Sequence, residues 1–387
     1  MIVGIPKEIM SHENRVAATP DTVRKFVNDG AKVLIEKEAG RGAFYSNQDY
    51  LNAGAIIIDD VREIYEQADL IIKVKEPQYN EKYQMHEIDM MHKGQYLITF
   101  IHPASPVNHQ MVMQMAKKGI IGLTLDGIPR ISRAQTMDAL TSMSTCAGYK
   151  GMLMALNSLT KFAPQIFSPV GMIKPINVLV IGTGVAGLQA IATAKRLGAI
   201  VHAIDIRPAA IEQATSLGAK IIELGIPVTE AEASGGYAKD LSLKWLSHEQ
   251  EVLKTVIGKM DIIYLSALVP NHIAPILITE EMLTLMNPGS VIVDISIDQG
   301  GNCAATIAGE TIEKNDITII GIKNIPGYIS TSSTWMFAQN MYNLVKYLTK
   351  AGKIVLDLND VICSSILVTD GTKIVHQGTL EAMSKRK

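Results

Sequence analysis

The chain of 387 residues has few cysteines and no excess of charge of either sign. Its three cysteines, at positions 146, 303 and 363, lie far apart and show no CxxC spacing. A disulfide framework and a zinc site are therefore not expected, and the chain suits a reducing compartment such as the cytoplasm. Lys and Arg number 36 and Asp and Glu 38, which gives a net charge of −2. Without a basic field, neither nucleic acid nor an anionic lipid surface is expected as a partner.

Targeting and membrane signals are also missing from the sequence pattern. No signal peptide is predicted, because residues 1–8 already include a predicted strand at 2–5. Residues 175–194 carry no charge and have the length of a membrane span, but they contain three glycines and divide into a strand, a turn and a helix. Direct membrane insertion is therefore not expected. Hydrophobic residues make up 47% of the chain, which suffices for large cores, and the length predicts two domains.

Two series of short β-rich runs alternate with amphipathic helical segments, one before residue 140 and one after residue 178. Such alternation is typical of βαβ units, which form parallel sheets. We therefore predict an α/β protein with two Rossmann-like domains, parallel sheets and a cleft between the domains. The first domain comprises residues 1–140 and 330–387, since the C-terminal helix returns to it. The second, nucleotide-binding domain comprises residues 141–329 and begins with a long helix predicted at 142–162, which connects the two domains.

The clearest motif has the spacing GxGxxG and lies between a predicted strand and a predicted helix. Gly182 allows the tight turn, Gly184 lets the backbone approach a pyrophosphate, and Gly187 permits close packing of helix on strand. The helix N-terminus adds partial positive charge for the phosphates. Asp205 ends the next strand, 18 residues after Gly187, where a carboxylate accepts hydrogen bonds from a ribose 2′-hydroxyl. Because this carboxylate repels a 2′-phosphate, the pattern favours NAD over NADP.

Arg207 is the one signal against that preference, because a guanidinium at this place can flank the adenine or bind a phosphate. The residues beside the motif positions, Thr183, Val185 and Ile206, belong to the predicted cofactor site. We predict NAD(H) as the cofactor. No metal site is predicted, since the histidines lack the spacing of metal ligands.

Residues 129–138, with the sequence PRISRAQTMD, place two arginines, a glutamine and an aspartate in one loop at the predicted domain junction. Polar groups in such a cleft can bind the carboxamide and the ribose of a nicotinamide nucleotide. The alternative is a solvated loop that is held by an ion pair between Arg133 and Asp138. The residues by themselves leave both interpretations open.

This loop, continuing through residues 147–150, closely resembles the NAD(H)-binding domain I of proton-translocating nicotinamide nucleotide transhydrogenase. The resemblance runs along nearly the whole chain, including PKE at 6–8, GGYAK at 235–239, ALVP at 267–270 and PGSVIVD at 288–294. It implies that Arg130, Gln135 and Asp138 position the nicotinamide and its ribose, with Ser132 and Arg133 beside them.

The same resemblance implies further contacts in the second domain and a set of partners. Gly236 and Tyr237 belong to a loop that closes on the nucleotide, and Gln250 and Leu268 contact the adenosine half and the dinucleotide. A homodimer is expected, in the cytoplasm and peripheral to the inner membrane. Hydride transfer would run to NADP⁺ on a partner subunit. Since the family-like pattern continues almost to Lys387, the NADP site and the proton channel are expected on separate polypeptides.

Alanine dehydrogenase shares this fold and offers the main alternative. Its substrate site uses an Arg, a Lys, a His and an Asp, which match Arg15, Lys75, His102 and Asp298. Such a set can hold a carboxylate, polarise a keto oxygen, exchange a proton and stabilise an iminium. The alanine dehydrogenase pattern lacks the motif at 130–138, which favours the transhydrogenase. A third hypothesis is an NAD-binding module without catalysis.

Overall fold

The computed structural model describes residues 1–231, 238–269 and 273–384. The chain divides into two compact units, which are described separately below. Unit 1 consists of Met1–Met143 and Gly327–Lys387, and unit 2 consists of Ser144–Pro326. Within the described ranges, no helix is both long enough and apolar enough to cross a membrane.

The helices and strands follow one another in three segments. The N-terminal segment contains β1 (Ile2–Ile5), α1 (Pro20–Asn28), β2 (Lys32–Glu36), α2 (Asn47–Asn52), β3 (Ile56–Ile58), α3 (Val61–Gln67), β4 (Leu70–Ile72), β5 (Tyr79–Asn80), β6 (Met85–His86), α4 (Glu87–Met90), β7 (Tyr96–Thr99), α5 (His109–Lys118) and β8 (Ile121–Thr124). Helix α6 (Ala139–Ser158) is followed by β9 (Ile166–Ser168), β10 (Gly171–Ile173), β11 (Asn177–Ile181), α7 (Val185–Arg196), β12 (Ile200–Ile204), α8 (Pro208–Ser216), β13 (Lys220–Ile221), α9 (Val228–Ala231), α10 (Leu243–Val256), β14 (Ile262–Leu265), α11 (Glu280–Leu283), β15 (Val291–Asp294), β16 (Thr311–Lys314) and β17 (Ile317–Ile320). The C-terminal segment contains α12 (Ser330–Leu348), β18 (Thr349–Lys350), β19 (Lys353–Ile354), α13 (Val361–Ile366), β20 (Leu367–Asp370), β21 (Lys373–Ile374) and α14 (Gln377–Ser384).

Unit 1 is built on a sheet with the strand order β21-β20-β8-β7-β4-β1-β2-β3. Its strands are parallel from β8 to β3, as the βαβ alternation predicts. The C-terminal segment extends the sheet with β20, which is antiparallel to β8, so this edge departs from the expected parallel pattern. Helix α1 begins as its sequence indicates, because Thr19 accepts a hydrogen bond from the backbone N–H of Thr22 and Pro20 occupies the first turn.

Unit 2 is built on a sheet with the order β13-β12-β11-β14-β15-β17-β16. The strands are parallel except for β16, which forms an antiparallel edge with β17. The chain moves outwards from β11 to β13 on one side and then returns to β14 on the other. This reversal beside β11 is the switch point at which doubly wound sheets bind ligands, outside the carboxyl ends of the strands. Apolar clusters cover both faces of the sheet.

Two sequence-based boundaries need correction. The long helix expected at 142–162 is α6, which begins at Ala139 because the side chain of Asp138 caps its first turn. It ends at Ser158, and the residues after Pro164 form the hairpin of β9 and β10, which the pattern did not predict. The uncharged run at 175–194 is divided between β11 and α7, as its glycines indicate.

Candidate functional site

At two of the three glycines in the turn after β11, a larger residue would clash with neighbouring atoms. At the third glycine it would not. Gly182 has φ +86°, and a Cβ there would lie 2.7 Å from the backbone of Ser266. A Cβ on Gly187 would lie 2.0 Å from the carbonyl oxygen of Gly182. Gly184 is extended at the N-cap of α7, and apart from its two chain neighbours no described residue has an atom within 4 Å of where its Cβ would be. The open space at this helix N-terminus fits the pyrophosphate of a dinucleotide.

Asp205 lies where the fingerprint predicts it, at the end of β12, and its carboxylate is buried. The backbone N–H of Thr183 donates to Oδ2 at 2.7 Å, and the Thr183 hydroxyl lies 3.1 Å from the same oxygen. Arg207 donates from Nε to Oδ1 at 3.0 Å and from Nη2 to Oδ2 at 2.8 Å. Arg207, which could bind a phosphate, is therefore paired with Asp205, which could bind a ribose hydroxyl. Val185 and Ile206, which flank these groups, are half-buried.

Glu249 is a buried acid near Asp205 that the sequence analysis missed. It lies on the face of α10 that also carries Leu246 and Leu253, and both leucines belong to the apolar cluster of unit 2. Burial, together with the charge of Asp205, raises the pKa of Glu249 to about 7. No hydrogen bond to its carboxyl is found among the described residues. The spacing of three and four residues from two leucines is the signal that predicts its inward position.

The other residues expected around the adenosine half are only partly described. Gln250 is half-buried, and its amide donates to the carbonyl of Ile276 at 2.8 Å. Leu268 is half-buried and follows β14, at the carboxyl edge of the sheet. Gly236 and Tyr237 lie outside the described residues.

The loop with the predicted nicotinamide ligands belongs to unit 1. It forms a 3-10 helix, Ser132–Met137, which leads into α6. Asp138 accepts hydrogen bonds from the backbone N–H of Thr141 at 2.8 Å and from the Thr141 hydroxyl at 2.6 Å. Arg130 and Gln135 are exposed. The loop therefore has one carboxylate fixed at a helix start and two exposed polar residues.

The solvated-loop interpretation predicted an ion pair between Arg133 and Asp138, and this prediction is wrong. Arg133 instead donates to Asp360 at 2.5 Å and to the hydroxyl of Tyr347 at 2.7 Å. Asp138 is occupied as a cap, and Asp360 is 227 residues away from Arg133 in the chain, which explains why local spacing could not identify the partner. Ser132 is exposed beside this pair.

A histidine and an aspartate form a second polar group in unit 1. His102 Nδ1 lies 2.7 Å from Asp126 Oδ1, and the His102 backbone N–H donates to Oδ2 at 2.8 Å. The histidine has φ +47°, a conformation that is unusual outside glycine, and its ring stacks on Phe100. Desolvation lowers the pKa of His102, but the Asp126 carboxylate outweighs it and the net shift is upwards. The pKa of Asp126 falls to about 2, because the His102 charge and hydrogen bonds outweigh its burial.

The other residues of the alanine dehydrogenase set are placed in both units. Arg15 is buried and forks onto Glu13, with Nε–Oε1 at 2.8 Å and Nη2–Oε2 at 2.5 Å. Lys75 is half-buried, and its charge reaches both Glu13 and His102, since it lowers the pKa of each. Arg15, Lys75 and His102 therefore lie in one region of unit 1. Asp298 is an exposed residue of unit 2.

A buried ionic network supports the chain before Lys75. Lys73 Nζ lies 2.8 Å from Glu87 and 3.5 Å from Glu8. Glu8 accepts the backbone N–H of Val74 at 2.6 Å, which fixes the end of β4. Burial raises the pKa of Glu8 to about 7, against the opposing charge of Lys73. The sequence contains Glu8 in the motif PKE and Lys73 in KVKEP, whereas Glu87 lies outside both, and it gives no sign that the three residues pair.

The glycine turn, the acid after β12 and the strand order of unit 2 define the class of nucleotide-binding α/β proteins with a Rossmann-like fold. Within this class, the chain belongs to the alanine dehydrogenase/PNT family. Residues 4–147 match the N-terminal domain of that family, and residues 151–377 match its C-terminal domain.

Relatives of both names match the chain along most of its length. A part of NAD(P) transhydrogenase subunit alpha from Rhodospirillum rubrum is 38% identical over 379 residues, which cover 97% of this chain and 98% of the relative. Alanine dehydrogenase of Bacillus subtilis is 32% identical over 346 residues, which cover 86% of this chain and 82% of the relative. The crystal structure of transhydrogenase from Sinorhizobium meliloti has a TM-score of 0.83 and 34% identity, and the match covers 97% of this chain and 100% of that one.

Proposed function

We propose that this chain is the NAD(H)-binding subunit of a proton-translocating NAD(P) transhydrogenase. The observation that carries the proposal is the loop at 129–138, whose motif the alanine dehydrogenase pattern lacks. Its fixed Asp138 and its exposed Arg130 and Gln135 supply a carboxylate, a cation and an amide for a carboxamide and ribose hydroxyls. The higher identity to transhydrogenase subunits than to alanine dehydrogenase also supports the proposal.

The residues of this chain bind and orient a nucleotide in this proposal. Gly182, Gly184 and the N-terminus of α7 hold the pyrophosphate, and Asp205 receives the adenosine ribose. When bound, NADH supplies a hydride for NADP⁺ that is held on a partner subunit. No side chain has to act as a general acid, because that transfer exchanges no proton with the protein. The contribution of the loop is orientation, which is worth several orders of magnitude in rate when reacting atoms are held about 3–3.5 Å apart.

The proposed partners are an NADP-binding subunit, a membrane subunit that translocates protons and a second copy of this chain. The hairpin of β9 and β10 supports the homodimer, because its apolar side chains are unusually exposed. Phe167 is 76% exposed and Val170 98% exposed. Exposed apolar surface of this kind is typical of protein interfaces. We place the complex at the inner membrane, with this chain on the cytoplasmic side.

Hydride transfer in the presence of an NADP-binding partner subunit tests the proposal. Asp138→Ala should leave NADH binding nearly intact and lower the transfer rate. Because Asp138 also caps α6, the alanine variant should lose about 1 kcal/mol of unfolding free energy. Asp138→Asn is the matched control, since it keeps one acceptor for the backbone N–H of Thr141 and removes the charge. Unchanged transfer in both variants would show that the loop assignment is wrong.

Alanine dehydrogenase is the second candidate, and the pair of His102 and Asp126 favours it. The carboxylate fixes Nδ1 of a histidine with an upward-shifted pKa, which is the usual arrangement of a general acid or base. The chain alone would then oxidise NADH when it is given pyruvate and ammonium. Oxidation that requires the partner subunit supports the first candidate, and binding without turnover under either condition supports an NAD-binding module.

A further inference from the structure

The loop at 130–138 is anchored by a closed triangle of polar side chains. The Arg133 guanidinium donates to Asp360 Oδ1 at 2.5 Å and to the Tyr347 hydroxyl at 2.7 Å. Tyr347 in turn donates to Asp360 Oδ2 at 2.5 Å. The hydrogen bond from Tyr347 and the Arg133 charge lower the pKa of Asp360. Each member of the triangle thus contacts the other two, and both oxygens of the carboxylate are used.

A second anchor holds the same loop three residues later. The side-chain amides of Asn340 and Asn343 both donate to the carbonyl oxygen of Thr136, at 2.9 Å and 3.1 Å. Asn340 is buried, and its Oδ1 has no hydrogen-bond partner among the described residues. A buried acceptor without a partner is unfavourable. Asn340 is therefore held in an orientation that serves the loop carbonyl at the expense of its own oxygen.

The elements that provide these anchors are themselves rigidly placed in unit 1. Asn340, Asn343 and Tyr347 are spaced by three and four residues, so they share one face of α12. The adjacent face of α12 carries the fully buried Phe337 and Leu344, three residues before and four residues after Asn340, which fix the helix in the core. The Asp360 side chain also caps α13, with the backbone N–H of Ile362 at 3.3 Å.

We propose that Arg133, Tyr347 and Asp360, together with Asn340 and Asn343, are positioning residues for the nicotinamide loop. The two anchors fix the chain at positions 133 and 136, on both sides of the exposed Gln135, and the cap at Asp138 fixes its end. Arg133 acts through Asp360 and is not itself a nucleotide ligand, which revises its expected role. The proposal rests on the proposed function, since that function gives the loop its ligand.

A double-mutant cycle on Arg133 and Asp360 tests this role. Arg133→Gln, Asp360→Asn and the double variant are compared for NADH affinity, by fluorescence titration, and for single-turnover hydride transfer with the partner subunit. We expect each single variant to lose roughly tenfold in transfer rate, since small misplacements of reacting groups are costly. NADH affinity should fall less than about threefold, and the double variant should match the single ones, because all three break the same contact. Arg133→Lys should restore part of the rate, since it keeps the charge without the fork.

Arg62→Gln is the matched control, because Arg62 pairs with Asp60 at 2.6 Å and lies over the ring of Tyr83. This variant removes an arginine from a second Arg, Asp and Tyr cluster, at α3. It should leave NADH affinity and the hydride-transfer rate unchanged. The proposal would be overturned if Arg133→Gln lowered NADH affinity by the same factor in the wild-type chain and in the Asp360→Asn variant. Arg133 would then bind the nucleotide directly. Unchanged transfer in a folded Arg133→Gln variant would also overturn it.

Hydrogen exchange of the backbone amides at 131–138 separates this proposal from the proposed function. Arg133→Gln and Asn343→Ala should both speed exchange in this loop, whether or not the chain takes part in hydride transfer. If the wild-type chain transfers no hydride, the proposed function has failed while faster loop exchange still supports the anchors. Unchanged exchange in both variants would contradict the anchors whatever the activity.

Discussion

Arg207 lies across the carboxylate of Asp205, with Nε 3.0 Å from Oδ1 and Nη2 2.8 Å from Oδ2. The same carboxylate accepts the backbone N–H of Thr183 inside the glycine turn at 2.7 Å. One buried acid thus links the glycine turn to the side chain of Arg207. Under the proposed function, we expect the balance of the Asp205 and Arg207 charges to determine whether the site prefers NAD(H) or NADP(H).

Asp205→Ser removes the carboxylate and releases the guanidinium of Arg207. We expect NADH affinity to fall roughly tenfold, which corresponds to about 1.4 kcal/mol. NADPH affinity should rise, because the 2′-phosphate loses a repelling charge and gains a cation. Fluorescence titrations with both nucleotides measure the change. A similar loss for NADH and NADPH would mean that Asp205 only supports the turn.

The glycine turn allows a paired test of packing against ligand binding. Gly184→Ala adds a methyl group into space that no described atom occupies, so the thermal midpoint should change little while NADH affinity falls. Gly187→Ala places a Cβ 2.0 Å from the Gly182 carbonyl oxygen and should destabilise unit 2. Calorimetry and NADH titration of both variants distinguish the two effects. Full NADH affinity in Gly184→Ala would exclude the pyrophosphate from this position.

The buried Glu249 predicts a pH dependence of stability. Its pKa is raised from the ordinary value of 4.5 to about 7, so its favourable contribution is complete below pH 4.5 and is lost as pH rises through 7. Glu249→Gln cannot ionise and should be more stable than the wild type at pH 8, by at most about 3 kcal/mol. Urea denaturation near pH 4.5 should show a much smaller difference. A pH-independent difference would place the Glu249 carboxyl in contact with solvent.

The pair of His102 and Asp126 predicts a loss of stability both at high pH and at low pH. The raised pKa of His102 gives stability that is lost as pH rises through it, and the Asp126 pKa of about 2 gives stability that is lost as pH falls through that value. His102→Gln should therefore cost more unfolding free energy near pH 5.5 than near pH 9, with about 1 kcal/mol at the lower pH. Denaturation curves at the two pH values check this. An equal cost at both would mean that the ion pair contributes nothing.

The sequence was sufficient where local rules decide the structure. The glycine spacing follows from steric limits within a few residues, and the strand before it and the acid 18 residues after Gly187 complete a recognisable fingerprint. The Thr19 cap and the Pro20 start of α1 are equally local. These features carry the fold class and the phosphate half of the candidate site.

Long-range partners could not be predicted in the same way. Arg133 and Asp360 are 227 residues apart, and Asn340 reaches Thr136 across 204 residues, so no spacing rule connects them. His102 has φ +47°, and the carboxylate of Asp126, 24 residues away, binds both its ring and its backbone. Such contacts arise from the packing of α12 and α13 and of neighbouring strands, which a single sequence does not reveal.

The most direct test of the proposed function uses NADH that carries deuterium at the transferred position of C4 and measures which product receives the deuterium. The chain is mixed with its NADP-binding partner subunit, NADP⁺, pyruvate and ammonium in one reaction, so that both acceptors compete. We predict that the deuterium appears in NADPH, that it does not exchange with water, and that transfer requires the partner subunit. Deuterium in alanine, formed by the chain alone, would contradict the proposed function.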